Sequence, residues 1–158
     1  ALVPIAVGVD SGSQATYLDR AGELQVDLSQ PPTEQLLSLI NADRARLGLS
    51  TLRREPRLSS TAMSHAHALA GQGVAAHVVV GGDAPLERVA KADISTPTFH
   101  ENVAMAPSIA QVHADLWMSP SHRQALLDPK VNAIGLGIEV VHTGSGVLYF
   151  VVEHLAQL

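Results

Sequence analysis

The stretch IGLGIEVVHTGSGVLYFVVE, residues 134–153, decides the fold class of this chain. Its first half alternates aliphatic residues with glycine or polar residues, as expected of a strand with one buried face. Gly144-Ser145-Gly146 then supplies the small, flexible residues of a tight turn before a second apolar run begins at Val147. The stretch therefore predicts an antiparallel β-hairpin.

Helical patterns occupy most of the chain between residue 33 and this hairpin. Apolar residues recur at helical spacing, and Ser, Thr, Asp and Pro stand where helices begin. Residues 91–107 lack such a pattern and are expected to form a loop. The predicted helices run from Thr33 to Leu47, Leu58 to Ala70, Pro85 to Ala90, Ile109 to Met118 and Ser121 to Leu127. Helices followed by a hairpin indicate an α+β layered domain.

A change of character at Pro31-Pro32 divides the chain. Residues 1–32 mix short apolar runs with glycines and predict an N-terminal extension or linker, with one strand near residues 24–28; residues 33–158 predict one domain. The apolar opening Ala1 to Val9 is far shorter than the roughly 20 residues that cross a bilayer. Because the chain starts without Met, we expect a mature form from which a targeting segment has been removed.

Composition excludes several classes of function. The net charge of -5 repels phosphate backbones, so a nucleic-acid partner is not expected, and no transmembrane segment is predicted. No cysteine is present, so there is no disulfide, thiolate nucleophile or Cys-type zinc site. Any metal would depend on carboxylates and on the eight histidines.

Three residues stand out as candidates for chemistry. His122 is predicted in the first turn of a helix, where unpaired N–H groups disfavour imidazolium and keep the ring neutral, able to bind a metal or accept a proton. His77 lies where a helix gives way to an extended segment, and Glu101 lies among apolar residues. Structural roles are the alternatives: a loop contact or cap for the histidines, and a solvated loop acid for Glu101.

The order of these segments resembles the CAP superfamily of cysteine-rich secretory proteins, antigen 5 and pathogenesis-related protein 1, in its bacterial SCP-domain branch. The similarity spans roughly residues 35–155, and it rests on order and spacing rather than on one motif. The segments that carry it are Gln35 to Leu49, Leu52, Leu58, Ala62, His65-Ala66, Leu69-Ala70, His77, Glu87-Arg88, Glu101-Asn102-Val103-Ala104, Leu116 to Arg123, Ile134 to Gly137 and Tyr149.

The resemblance implies an α-β-α sandwich around a small antiparallel sheet. It also implies a groove lined by two histidines and two acids, which holds zinc or another divalent ion in some members; His77, His122 and Glu101 match three of these positions. The second acid is unmatched, because Ser119-Pro120 stands there, and Asp115 and Glu87 are only nearby substitutes. His100 replaces the usual glycine, so either the loop differs locally at this position or His100 adds a polar group to the groove.

These observations favour a secreted, periplasmic or envelope-associated binding module over an enzyme. Its groove, at His77, His100, Glu101 and His122, is expected to take a lipid, a peptide or a cell-wall fragment. The alternative is a metal-assisted, peptidase-like hydrolase in which His77 and His122 hold the ion and Glu101 is the general base. The sequence assigns no cofactor; zinc or another divalent ion is the one that the resemblance implies.

Overall fold

A computed structural model describes residues 2–4 and 25–158 of the chain. The elements in chain order are β1 (Leu2–Pro4), β2 (Gln25–Asp27), α1 (Pro32–Arg46), β3 (Arg53–Arg54), α2 (Pro56–Gln72), α3 (Pro85–Lys91), β4 (Phe99–Ala106), α4 (Ile109–Met118), α5 (Pro120–Leu126), β5 (Ala133–Thr143) and β6 (Gly146–Ala156). No helix over these described ranges has the length and apolar character needed to cross a membrane.

A four-stranded mixed sheet lies at the centre of the domain, in the order β3-β5-β6-β4. The predicted hairpin forms its middle: β5 and β6 pair antiparallel from Ala133–Ala156 to Thr143–Gly146. β4 pairs antiparallel with β6, whereas β3 pairs parallel with β5. β1 and β2 form a separate two-stranded antiparallel sheet.

Helices cover both faces of the main sheet. Alternate residues of β6 enter two different cores: Val151 and Leu155 pack with α1 and α4, while Phe150 and Val152 pack with α2. This alternation follows from the period of two along a strand. The result is the α-β-α sandwich that the resemblance implies, and the α+β assignment is confirmed.

Two glycines let α2 approach β5 closely. A Cβ at Gly135 would overlap the backbone of Leu58, and one at Gly137 would overlap the backbone of Ala62. In β5, large apolar residues therefore point toward α1 and α4, and the glycines between them face α2. The helix can lie directly on the strand because no side chain separates them.

A buried arginine holds the segment that follows α5. Arg44 is 1% exposed, and its guanidinium donates to the carbonyls of Ser50, Leu126 and Val131. Burial lowers the pKa of Arg44, and nearby Asp128 offsets this in part. α1 thereby fixes the end of α5, the helix that carries His122.

The expectation of a loop over residues 91–107 is wrong, because residues 99–106 form β4. Three of the first four residues of this strand, His100, Glu101 and Asn102, are polar and obscure the alternation. These side chains are stabilised by partners from other elements, which a local pattern does not reveal. The strand expected near residues 24–28 is present as β2, whereas residues 5–24 lie outside the described part of the chain.

Candidate functional site

The Glu101 carboxylate lies at the centre of a buried polar network. Its side chain is 2% exposed and accepts three hydrogen bonds, from a side chain in the segment between α2 and α3, one on α3 and one on β6. His77 Nδ1 donates to Oε1 at 2.8 Å, while Arg88 Nη2 and His154 Nε2 donate to Oε2, each at 2.7 Å. His65 Nε2 lies 3.9 Å from Oε1. The network joins β4, β6, α2, α3 and the segment that carries His77.

These donors determine the ionisation of Glu101. Burial alone would raise the pKa of this carboxyl, but the hydrogen bonds from His154, Arg88 and His77 outweigh burial and lower the pKa to about 2. The carboxylate is therefore ionised at neutral pH. A group with so low a pKa and with both oxygens engaged is a weak general base.

Two histidines of the network are neutral structural donors. Burial lowers the pKa of His154 and that of His65, despite the carboxylate beside them. The second ring nitrogen of His154 lies 2.8 Å from the Thr61 hydroxyl, and His65 donates to the carbonyl of Ala76 at 2.7 Å. Both rings attach α2 to the site.

A cavity of about 510 Å³ opens beside this network. Its polar lining comes from His77, His100, Glu101, Asn102, Ser121 and His122. Its apolar lining comes from Ala84, Pro85, Leu86, Phe99 and Ala125. The structure thus brings the four residues expected in the groove to one cavity.

His77 lies in the segment between α2 and α3, whereas His122 lies in α5, and both line this cavity. The His77 side chain is 51% exposed; because its Nδ1–H donates to Glu101, the neutral ring carries its lone pair on Nε2. Burial lowers the pKa of His122, and nearby His77 would lower it further when its own ring is protonated. The lowered pKa of His122 agrees with the neutral ring expected from the sequence. Its main cause is burial rather than the position of His122 at the helix N-terminus.

His100 extends the polar lining toward the end of α5. Its Nε2 lies 2.8 Å from Asp128 Oδ2, and this contact helps to lower the pKa of Asp128. The residue that replaces the family glycine is thus a cavity-lining group paired with a carboxylate.

A second buried acid lies on the opposite face of the sheet from Glu101. Glu153 is 0% exposed, accepts a hydrogen bond from Asn102 at 3.0 Å, and has no partner for Oε2 among the described residues. Burial raises the pKa of Glu153 to about 7. The same Asn102 amide donates to the carbonyl of His122 at 3.2 Å and so ties α5 to β4.

The residues present do not fit a zinc site with three protein ligands. Over residues 25–158, no group of three or more His, Asp or Glu side chains is placed to hold a metal ion. Glu101 is committed to its three donors, and the substitute acids Asp115 and Glu87 are exposed and do not line the cavity. His77 and His122 would be two ligands at most, below the usual number.

Sequence reasoning missed Arg88 and His154, which share one oxygen of Glu101. Arg88 is 10% exposed and also donates to the His77 carbonyl, so it holds the His77 segment against β4. His154 stands directly opposite Glu101 in the β4–β6 register. Once residues 99–106 are assigned as a strand that pairs with β6, the histidine directly across from Glu101 is the signal that would identify His154 as a site residue.

The match to a family model now has a structural basis. Residues 37–154 match the model of the cysteine-rich secretory protein family, CAP. This range covers most of the chain and includes every residue of the network around Glu101. The chain therefore belongs to the CAP family.

One curated relative is the uncharacterised protein YkwD of Bacillus subtilis, which is 27% identical over 113 residues. The matched region covers 71% of this chain and 43% of that protein, so the chain spans less than half of the relative's length.

Solved bacterial structures share the fold. An outer surface protein from Borrelia burgdorferi aligns with a TM-score of 0.69 at 25% identity, covering 84% of this chain and 98% of that one. An extracellular protein containing an SCP domain from Bacillus anthracis aligns with a TM-score of 0.67 at 19% identity, and the alignment covers 79% of this chain and 40% of that one. A cysteine-rich secretory protein from Staphylococcus aureus aligns with a TM-score of 0.61 at 21% identity, and the alignment covers 84% of this chain and 41% of that one.

Proposed function

We propose that this chain is an extracellular or envelope-associated binding module of the CAP family. Its ligand, a lipid, a peptide or a cell-wall fragment, enters the cavity at His77, His100, Glu101 and His122. The observation that carries the proposal is the cavity itself, whose volume of about 510 Å³ falls within the range of small-ligand sites. The extracellular setting is supported by the Bacillus anthracis and Borrelia burgdorferi neighbours, which are extracellular and outer-surface proteins.

The lining suits a ligand with both polar and apolar parts. Imidazoles of His77, His100 and His122 offer hydrogen-bonding groups, and Pro85 and Leu86 offer apolar surface on another side. Leu86 is 65% exposed, so its side chain is available to a ligand without rearrangement. A few polar groups fix orientation in such sites, while apolar contact supplies much of the affinity.

A thermal-shift screen with lipids, muropeptides and peptides tests this function. A ligand at 100 times its Kd stabilises the native state by about 2.7 kcal/mol, which raises the Tm by about 5–10 °C for a chain of this size. We expect the shift to shrink in His122→Ala and to persist in His67→Ala, whose side chain is 80% exposed and outside the cavity. If no ligand of the three classes stabilises the wild type, the proposal fails.

A metal-assisted hydrolase has less support at this site. In its favour, Glu101 backs His77 in the way that carboxylates back metal-binding imidazoles. Against it, the residues over 25–158 offer no third ligand, and Glu101 is a weak base. Elemental analysis of wild type and His122→Ala, purified without added metal, separates the two candidates: one zinc per chain in the wild type alone would favour the hydrolase.

A further inference from the structure

The cavity lies along the outer edge of β4. Its lining includes four consecutive residues of that strand, 99–102. Successive side chains of a strand point to opposite faces, and here Glu101 meets His154 on the α2 face while Asn102 meets Glu153 on the α4 face. A single cavity can reach both sets only beyond the edge of the sheet.

Both helical layers form walls around this edge. Ser121 and His122 come from α5 in one layer, and Pro85 and Leu86 come from α3 in the other. β4 is the terminal strand in the sheet order, and no strand in the described part of the chain pairs with its outer side. The edge therefore faces the cavity between two walls.

The register shows which backbone groups face the cavity. Gln157 N–H donates to the Thr98 carbonyl, so residue 98 faces β6, and the alternation continues through His100 and Asn102. The N–H and C=O groups of Phe99 and Glu101 consequently point outward. Among the described residues, none forms a hydrogen bond with these outward groups.

We infer that the ligand of this cavity is an extended peptide segment that adds to β4 as a further strand of the main sheet. The inference rests on the proposed binding function and specifies its ligand class. Outward N–H and C=O groups at alternate residues match the spacing of a partner strand. A lipid chain would bury the same groups without partners, at a cost of about 1–3 kcal/mol each.

The two walls would then select side chains of the peptide. Residues of an added strand point alternately to the two faces, so one set meets Ser121 and His122 and the other meets Pro85 and Leu86. This favours peptides that alternate polar and apolar residues. The four strand residues in the cavity extend about 13 Å, so about four peptide residues make the contact.

An N-methyl scan tests the strand pairing. Peptides are first selected from a phage-displayed library of random decapeptides, and each backbone N–H of one binder is then methylated in turn. Methylation removes a donor without removing a side chain, so we expect affinity to fall about tenfold or more at alternate positions and little at those between. Uniform insensitivity, or losses without a period of two, would overturn the inference.

Variants and other ligands locate the site and separate the two proposals. Ser121→Trp places a large side chain in the cavity and should abolish binding of the selected peptide, whereas Ser145→Trp, in the exposed β5–β6 turn, should leave it unchanged. A library that yields no peptide sensitive to Ser121→Trp contradicts peptide addition. If lipids or muropeptides bind in that case, the proposed binding function holds without peptide addition to β4. If lipids and muropeptides also do not bind, both proposals are contradicted.

Discussion

At the scale of single residues, the charge of Glu101 stabilises the site, and its removal is a direct test. Glu101→Gln leaves the Arg88 guanidinium, 10% exposed, without its anionic partner. Breaking a buried pair in this way typically costs about 3–5 kcal/mol. We expect a loss of that order in urea unfolding at pH 7, against a change below about 0.5 kcal/mol for the exposed control Glu87→Gln.

The pH dependence of that loss provides a second check. Because the folded pKa of Glu101 is lowered to about 2, its stabilisation is present above the unfolded value near 4.5 and disappears as the pH falls toward 2. The gap between wild type and Glu101→Gln should therefore narrow across this window. A gap that stays constant from pH 7 to pH 2 would mean that the charge of Glu101 is not its source.

Glu153 has the opposite effect on stability. Burial raises its pKa to about 7, so ionisation destabilises the fold: the cost is absent below pH 4.5, develops as the pH rises to 7, and is complete above it. At pH 8, Glu153→Gln should be more stable than wild type by about 1–3 kcal/mol, a figure that already allows for the cost of burying the new amide. At pH 4 the variant should show no such gain in stability. Thermal unfolding at both pH values measures this gain, with Glu139→Gln as the more exposed control. If the stability difference between Glu153→Gln and wild type were the same at pH 4 and pH 8, the destabilising ionisation of Glu153 would be contradicted.

The residues of the site were only partly predictable from sequence. His77, Glu101 and His122 were candidates from their local settings and matched three groove positions of the family, whereas His100 was added because it replaces the family's usual glycine. Arg88 and His154 were not assigned to the site, although Glu87-Arg88 was part of the resemblance, because their role depends on which elements pack together. The Glu153 carboxyl was not predicted for the same reason.

At the scale of elements, the glycines of β5 govern how closely α2 packs. Gly135→Ala would drive a methyl group into the backbone of Leu58, which cannot move without displacing the helix. We expect a loss of about 3 kcal/mol, the upper end of the range for overpacking, or failure to fold. Urea unfolding checks it, with Gly144→Ala as the control because the space around Gly144 is open. A Gly135→Ala variant as stable as wild type would refute this packing.

The hairpin and the helices were predictable because their patterns are local. Apolar periodicity and helix-start residues identified the five helices. The alternation that begins at Ile134 and the Gly-rich turn at residues 144–146 identified the paired strands β5 and β6. The edge strand β4 was missed because three of its first four residues are polar and serve the site. Its assignment required knowledge of the cross-strand partners in β6, which local sequence does not contain.

At the scale of the whole molecule, the sheet lies between two helical layers, and residues of both layers line the cavity at β4, the last strand in the sheet order. The cavity lies there because α3 belongs to one layer and α5 to the other. The α-β-α sandwich was predictable through the resemblance to the CAP family, whereas the position of the cavity along β4, a strand that was not predicted, was not. The division of the chain at residue 32 stays a prediction.

The central claim is that the cavity beside Glu101 binds the ligand of this protein, and histidine NMR tests it most directly. Imidazole resonances of the wild type are followed while a stabilising ligand from the thermal-shift screen is added. We expect the resonances of His77, His100 and His122 to shift, while those of His67 and His142, which are exposed outside the cavity, do not. A ligand that binds and leaves the three cavity histidines unchanged would contradict it.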